Sequence, residues 1–221
     1  MVDIFDEVSD DLRAERAARL LRRYGALLIL AAILVLIAVG AQQAWQYYSA
    51  RQAQKAATAY LAITNPIDAN AESLTNPQRL TAAKTLETFA ASAPEGYRTL
   101  ATMRSAALYA AAGNLPAAAT GWNQVSGDAA ADPLFRDLAS LLWAQHELGI
   151  APDQSVAARL QPLTVPENPY HGLAQETQAL LYLSEGKIGQ AKALFSQIAS
   201  DPGATDGVRN RADGLLAKLN G

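Results

Sequence analysis

YRTLATMRSAALYAAAGNLPAAATGWNQV, residues 97–125, is the stretch on which the reading of the whole chain turns. It is rich in alanine, and its one internal break is Gly113-Asn114. No part of it alternates polar and apolar residues with the period of two that a half-buried strand requires. It therefore reads as two helices, residues 97–112 and 115–125, joined by a tight turn. A second stretch, GLAQETQALLYLSEGKIGQAKALFSQIAS (172–200), has the same layout, with its turn at Gly186-Lys187. In both, an aromatic residue (Tyr109 or Tyr182) precedes a glycine (Gly113 or Gly186) by four positions, and a small residue (Ala118 or Ala191) follows it by five.

The rest of the chain beyond residue 46 is helical in pattern too. A helix over 77–92 presents Leu80, Ala83, Leu86 and Phe89, with Asn76 as its cap and Pro77 in its first turn. Pro133 to Leu148 forms a helix ending at Gly149, and Asp153 to Leu160 forms a short one. Gln161 to Pro169 holds three prolines and reads as a loop, and a last helix over about 207–219 closes the array. Before all of these, a helix running out from Ala44 is expected to end at a loop around Asn65-Pro66, with a second loop from Asn70 to Asn76.

The two matching stretches resemble tetratricopeptide repeats, pairs of antiparallel helices with small residues at the crossings and aromatics filling the gaps. The resemblance implies packing roles for Ala106, Tyr109, Gly113, Ala118 and Trp122 in the first unit. It implies the same roles for Ala179, Tyr182, Gly186, Ala191 and Phe195 in the last. The middle unit departs from the pattern, because Leu142, Gln145 and Gly149 fit poorly and Ala151-Pro152-Asp153 delays its second helix. The expected fold is all-α: one N-terminal transmembrane helix followed by a tetratricopeptide repeat-like solenoid.

The transmembrane expectation rests on GALLILAAILVLIAVGA (25–41), which contains no charge or amide. With its neighbours it reaches the roughly 20 residues that cross a hydrocarbon core of about 30 Å. Arg13, Arg16, Arg19, Arg22 and Arg23 precede the run, whereas only Arg51 and Lys55 follow closely. That bias places the N-terminus in the cytoplasm and the large domain outside, and the acidic residues among the arginines do little to oppose it. Trp45, Tyr47 and Tyr48 fit an aromatic belt at the outer interface, or equally the first core residues of a helix leaving the membrane. A cleaved signal peptide is the rival, but the leading segment and the apolar run both exceed its usual lengths. Three parts result: a cytoplasmic segment 1–23, a signal-anchor helix 24–45 and a periplasmic domain 46–221. Ile4, Phe5, Val8, Leu12 and Leu20 give the first part an amphipathic pattern, suited to a docking tail or to a solvated lead-in.

Composition excludes several function classes. The chain has no cysteine, so it carries no disulfide and no thiol chemistry. Beyond the anchor, 13 basic side chains face 15 acidic ones, which leaves no basic face for nucleic acid. The two histidines, His146 and His171, stand in no metal or catalytic motif, and Asp132 with Asp137 forms no recognisable acid–base pair. No enzyme activity, cofactor, metal or small-molecule substrate is expected. Stacked helix pairs instead create extended surfaces for proteins.

The whole layout resembles the bacterial ancillary subunit family of the SecYEG translocon. AAKTLETFAASAPEGYRTLATMRSAALYAAAGNLPAAA (82–119) carries most of that likeness. The resemblance implies association with the Sec translocon and with periplasmic chaperones during protein export. A scaffold for envelope assembly or cell division, or a supernumerary subunit of another membrane complex, would use the same architecture.

Overall fold

A computed structural model describes the backbone of residues 4–221, and side chains from residue 24 onward apart from 28 and 32. The amphipathic pattern of residues 2–23, and the side chains of Arg19, Arg22 and Arg23, lie outside the described set. Every regular element among the described residues is helical. The chain divides into two compact units, residues 1–54 and 55–221.

The first unit consists of most of α1 (Ile4–Ala69). Its apolar run reaches a mean hydropathy of 2.7 over 18 residues, none of them buried. It is the one helix among the described residues long and apolar enough to cross a membrane.

The second unit begins with the end of α1 and continues through eight further helices. They are α2 (Asn76–Ser92), α3 (Glu95–Ala111), α4 (Leu115–Gly127), α5 (Pro133–Glu147), α6 (Asp153–Leu160), α7 (His171–Ser184), α8 (Ile188–Ser200) and α9 (Asp206–Asn220). From α2 onward each helix packs on the next, and α3, α5, α7 and α9 also touch in series. Near-neighbour packing of this kind defines a solenoid.

Its core falls into three clusters. The first gathers Leu86, Ala106, Tyr109, Ala118 and Trp122; the second Leu141, Val156, Leu160 and Leu181; the third Ala179, Ala191, Phe195 and Val208. Trp143 packs against both the first and the second cluster, and Leu173 against both the second and the third. Half-buried side chains therefore join the repeats into one continuous core.

The repeated tyrosine-to-glycine spacing has a local cause. Gly113 and Gly186 take φ of +81° and +73°, a left-handed conformation that glycine adopts without a Cβ clash. The Asn114 amide then donates to the Tyr109 carbonyl at 2.8 Å, and the Gly113 amide to Ala110 at 2.9 Å. In the last unit Lys187 donates to Tyr182 at 2.8 Å and Gly186 to Leu183 at 3.0 Å. Both ends are Schellman caps, so the same two bonds close α3 and α7. The middle unit lacks this pairing. Gly149 has φ +78°, but Ile150 and Ala151 both donate to Glu147, and α6 is only 8 residues long before the 3-10 turn Gln161–Leu163.

Two expectations are corrected. The helix from Ala44 does not end at Asn65-Pro66, since α1 continues to Ala69 with Pro66 inside it. Proline forfeits a single amide bond there. Tertiary contacts hold the last turn: Ile67 is buried, and Asp68 pairs with Arg104 of α3. The cap of α2 is Thr75 rather than Asn76, because the Gln78 side chain reaches back to accept from the Thr75 amide at 2.8 Å.

Ala118 and Ala191 are fully buried in α4 and α8. Ala118→Leu and Ala191→Leu are each expected to destabilise the second unit by about 1–3 kcal/mol, since the added atoms have no space to enter. Thermal unfolding of the full chain measures this. An unchanged melting temperature in both variants would disprove the helix-pair register.

Candidate functional site

Helices α2 and α4 flank α3, and together they enclose an open cleft of about 580 Å³. Its floor is kept low by small residues, among them Ala90, Ala106, Ala117 and Gly121. At Gly121 a Cβ would stand 2.9 Å from the Ala106 Cβ, so α3 and α4 approach as closely as they do only because no side chain lies there. Glu87 and Arg98 are the charged residues of the lining, and Thr102, Ser105, Thr120 and Gln124 supply polar groups.

Most of these groups are fixed. The Ser105 hydroxyl donates to the Ala83 carbonyl at 2.9 Å, and that of Thr120 to Pro116 at 2.9 Å. The Tyr109 hydroxyl donates to Glu87 Oε2 at 2.9 Å. Burial of the phenol, reinforced by the bond to the Glu87 carboxylate, pushes its pKa up to about 12, so Tyr109 remains a donor at neutral pH. Arg98 donates to the Ala93 carbonyl at 3.3 Å.

Of the packing residues named from the sequence, Ala106, Tyr109, Ala118 and Trp122 lie together in the first cluster. Ala179, Ala191 and Phe195 lie together in the third, with Tyr182 half-buried at its margin, where Gln178 Nε2 donates to its hydroxyl at 3.3 Å. Trp45, Tyr47 and Tyr48 are exposed on α1, and the Arg51 guanidinium sits 4.6 Å from the Tyr47 ring centre.

The histidines and the paired aspartates take local structural places. The His146 ring stacks on Trp122, centroids 4.7 Å apart. His171 opens α7, with Nε2 3.2 Å from Asp201 Oδ2 and Nδ1 3.2 Å from the Asn168 carbonyl. The Gly203 amide and then His171 hold the Asp201 carboxyl below its ordinary pKa. Asp132 caps α5 by accepting from Leu134 at 2.8 Å, and Asp137 accepts from Asn168 at 2.8 Å. Among the described residues no cluster of histidine and carboxylate side chains could hold a metal.

Sequence reasoning missed three features. Gly121 forms the α3–α4 crossing, and its only signal is a position one helical turn after Ala118. Arg159 of α6 donates to Asn123 at 2.7 Å and Ser126 at 3.0 Å and lies 4.5 Å over the Trp143 ring, tying the irregular middle unit to α4 and α5. Burial lowers its pKa from the ordinary arginine value. The third is Glu176 of α7, buried and clasped by Arg211 of α9 through bonds of 2.7 and 2.6 Å.

Serially packed antiparallel helices with duplicated Schellman turns define a helical-repeat protein. A family model described as a tetratricopeptide repeat-like domain matches residues 19–219, and the chain belongs to that family. The matched span takes in the apolar helix as well as the helix pairs. No curated protein and no solved structure matches the chain. Repeat domains of this kind characteristically mediate contacts between proteins.

Proposed function

We propose that the chain is a non-enzymatic protein-interaction module tethered to a bacterial inner membrane. Residues 24–45 form the signal anchor, residues 1–23 lie in the cytoplasm, and the domain from residue 46 stands in the periplasm. The observation that carries this reading is the joining of an exposed apolar helix and a helical-repeat domain within one family match from residue 19 to 219. The match begins before the apolar run and continues through the helix pairs, which supports an anchor retained with its domain. The arginines before the run support the orientation. A tether of this kind raises the effective concentration of the repeat surface beside other membrane proteins.

The partners we propose are the Sec translocon and periplasmic chaperones, on the strength of the resemblance carried by residues 82–119. Crosslinking in intact membranes tests this. Translocon subunits and periplasmic folding factors are expected among the captured proteins. Recovery of division or envelope-assembly proteins instead, or of one unrelated stoichiometric complex, would overturn the export role. In the same membranes, protease added to the outer face is expected to degrade the domain and leave a short N-terminal fragment. A protected domain would refute the orientation.

A further inference from the structure

The cleft between α2 and α4 carries two opposite charges that the protein itself leaves unneutralised. Glu87 accepts only the Tyr109 hydroxyl, and Arg98 donates only to the Ala93 carbonyl; neither enters an ion pair among the described residues. Both side chains are exposed, and each makes one hydrogen bond that narrows its range of positions. The Tyr109 phenol keeps its proton throughout the neutral range, so the bond to Glu87 persists there. Pre-positioned groups lose less freedom when a ligand arrives than mobile ones do.

The floor adds a second constraint. Ala90, Ala106, Ala117 and Gly121 are too small to fill the space between the helices, and the volume of about 580 Å³ lies in the range of ligand sites. The Ser105 and Thr120 hydroxyls already donate to carbonyls and can only accept from a ligand, so recognition falls chiefly to Glu87, Arg98, the Thr102 hydroxyl and the Gln124 amide. One carboxylate and one guanidinium give the cleft no net charge, which disfavours a polyanion. They match an occupant that is itself dipolar.

We propose that this cleft binds an extended peptide segment carrying one basic and one acidic side chain a few residues apart, with small residues between them. The basic group meets Glu87, the acidic group meets Arg98, and the small residues lie over the alanine floor. This assignment rests on the reading of the chain as a protein-interaction module and adds to it a location and a partner chemistry.

Fluorescence anisotropy of the full chain in lipid nanodiscs tests the assignment. The probes are end-capped, labelled peptides Gly-Lys-Ala-Ala-Glu-Gly, its Lys–Lys and Glu–Glu counterparts, and a version with both charges replaced by glutamine. The dipolar peptide is expected to bind best and to weaken with added salt. Glu87→Gln and Arg98→Gln are each expected to weaken it by about two- to fivefold, the range of an exposed ion pair. Glu87→Lys is expected to shift the preference to the Glu–Glu peptide, and Arg98→Glu to the Lys–Lys peptide. Circular dichroism checks that helicity is kept; should a reversal variant lose it, the two glutamine variants decide. The same peptide order in every variant would place binding elsewhere, overturning the cleft while leaving the interaction reading intact. Failure of the dipolar peptide to bind even at millimolar concentration would also overturn it. The interaction reading itself falls only if crosslinking captures no partner.

Discussion

Trp122→Ala is expected to lower the stability of the second unit by about 3–5 kcal/mol, and Phe195→Ala to do the same near its other end. Both side chains are fully buried, at 1% and 0% exposure, and each is among the largest in its cluster. Ala106 and Ala118 share the first cluster with Trp122, beside larger residues such as Leu86 and Tyr109, and Ala179 and Ala191 share the third with Phe195, beside Ile198 and Val208. The alanines have no side-chain rotamers with which to refill a void, so relaxation is left to the larger neighbours and recovers only part of the loss. The Trp122 indole Nε1 has no hydrogen-bond partner among the described residues, so the ring acts through its apolar area and its stack on His146. Trp122→Phe should therefore lose much less than Trp122→Ala. For a domain of this size the alanine variants correspond to a melting-temperature fall of roughly 6–20 °C.

The two substitutions also test how far the repeats melt as one. Half-buried Trp143 and Leu173 are the hydrophobic side chains shared between neighbouring clusters, and a solenoid gains stability from neighbour to neighbour. Hydrogen exchange should show Trp122→Ala loosening α3 and α4 first, and Phe195→Ala loosening α7 to α9 first. Equal loosening of every helix in both variants would instead mark a single cooperative core. Calorimetry that finds either variant as stable as the parent would contradict the packing roles given to these aromatics.

What could be read in the sequence was local. The spacing Tyr109 to Gly113, repeated at Tyr182 to Gly186, is legible because a Schellman cap needs only six consecutive residues and a glycine at a fixed place. The apolar run is legible because its signal is continuous. The end of α1 was not, because Pro66 argues for a stop while Ile67 and Asp68 are held by partners distant in sequence. The cap of α2 is ambiguous in the sequence because Asn76 and Thr75 are both good caps, and only the reach of Gln78 separates them. The cleft was invisible for a related reason. Glu87, Arg98 and Gln124 sit on three helices, and nothing in their spacing announces that α2 and α4 leave a gap over α3. The middle unit, with no Schellman turn, relies on Arg159 reaching back more than 30 residues to Asn123 and Ser126.

The Glu176–Arg211 pair is the strongest case of a contact that only the fold creates, and its disruption is the second large effect expected. Glu176 is 8% exposed and points from α7 toward α9, while the Arg211 side chain remains about half exposed. The fork geometry, Nε to Oε1 at 2.7 Å and the terminal nitrogen to Oε2 at 2.6 Å, satisfies both carboxylate oxygens at once. The bond to Glu176 raises the Arg211 pKa further above its ordinary value, so the cation is present at any working pH. Arg211→Ala would leave a buried carboxylate without its cation. Removing one partner of a fully buried pair costs about 3–5 kcal/mol. Water can enter beside the half-exposed arginine, so about 2–3 kcal/mol is expected here. Replacing both partners with apolar residues of similar size, Glu176→Leu with Arg211→Met, should return stability to within about 1 kcal/mol of the parent, since no charge is then stranded. Denaturant unfolding of the two single variants and the double variant gives the coupling directly. If Arg211→Ala proves neutral, water already solvates Glu176 and the pair does not lock α9 to α7. If the double variant falls as far as Arg211→Ala, shape rather than charge holds the last helix in place.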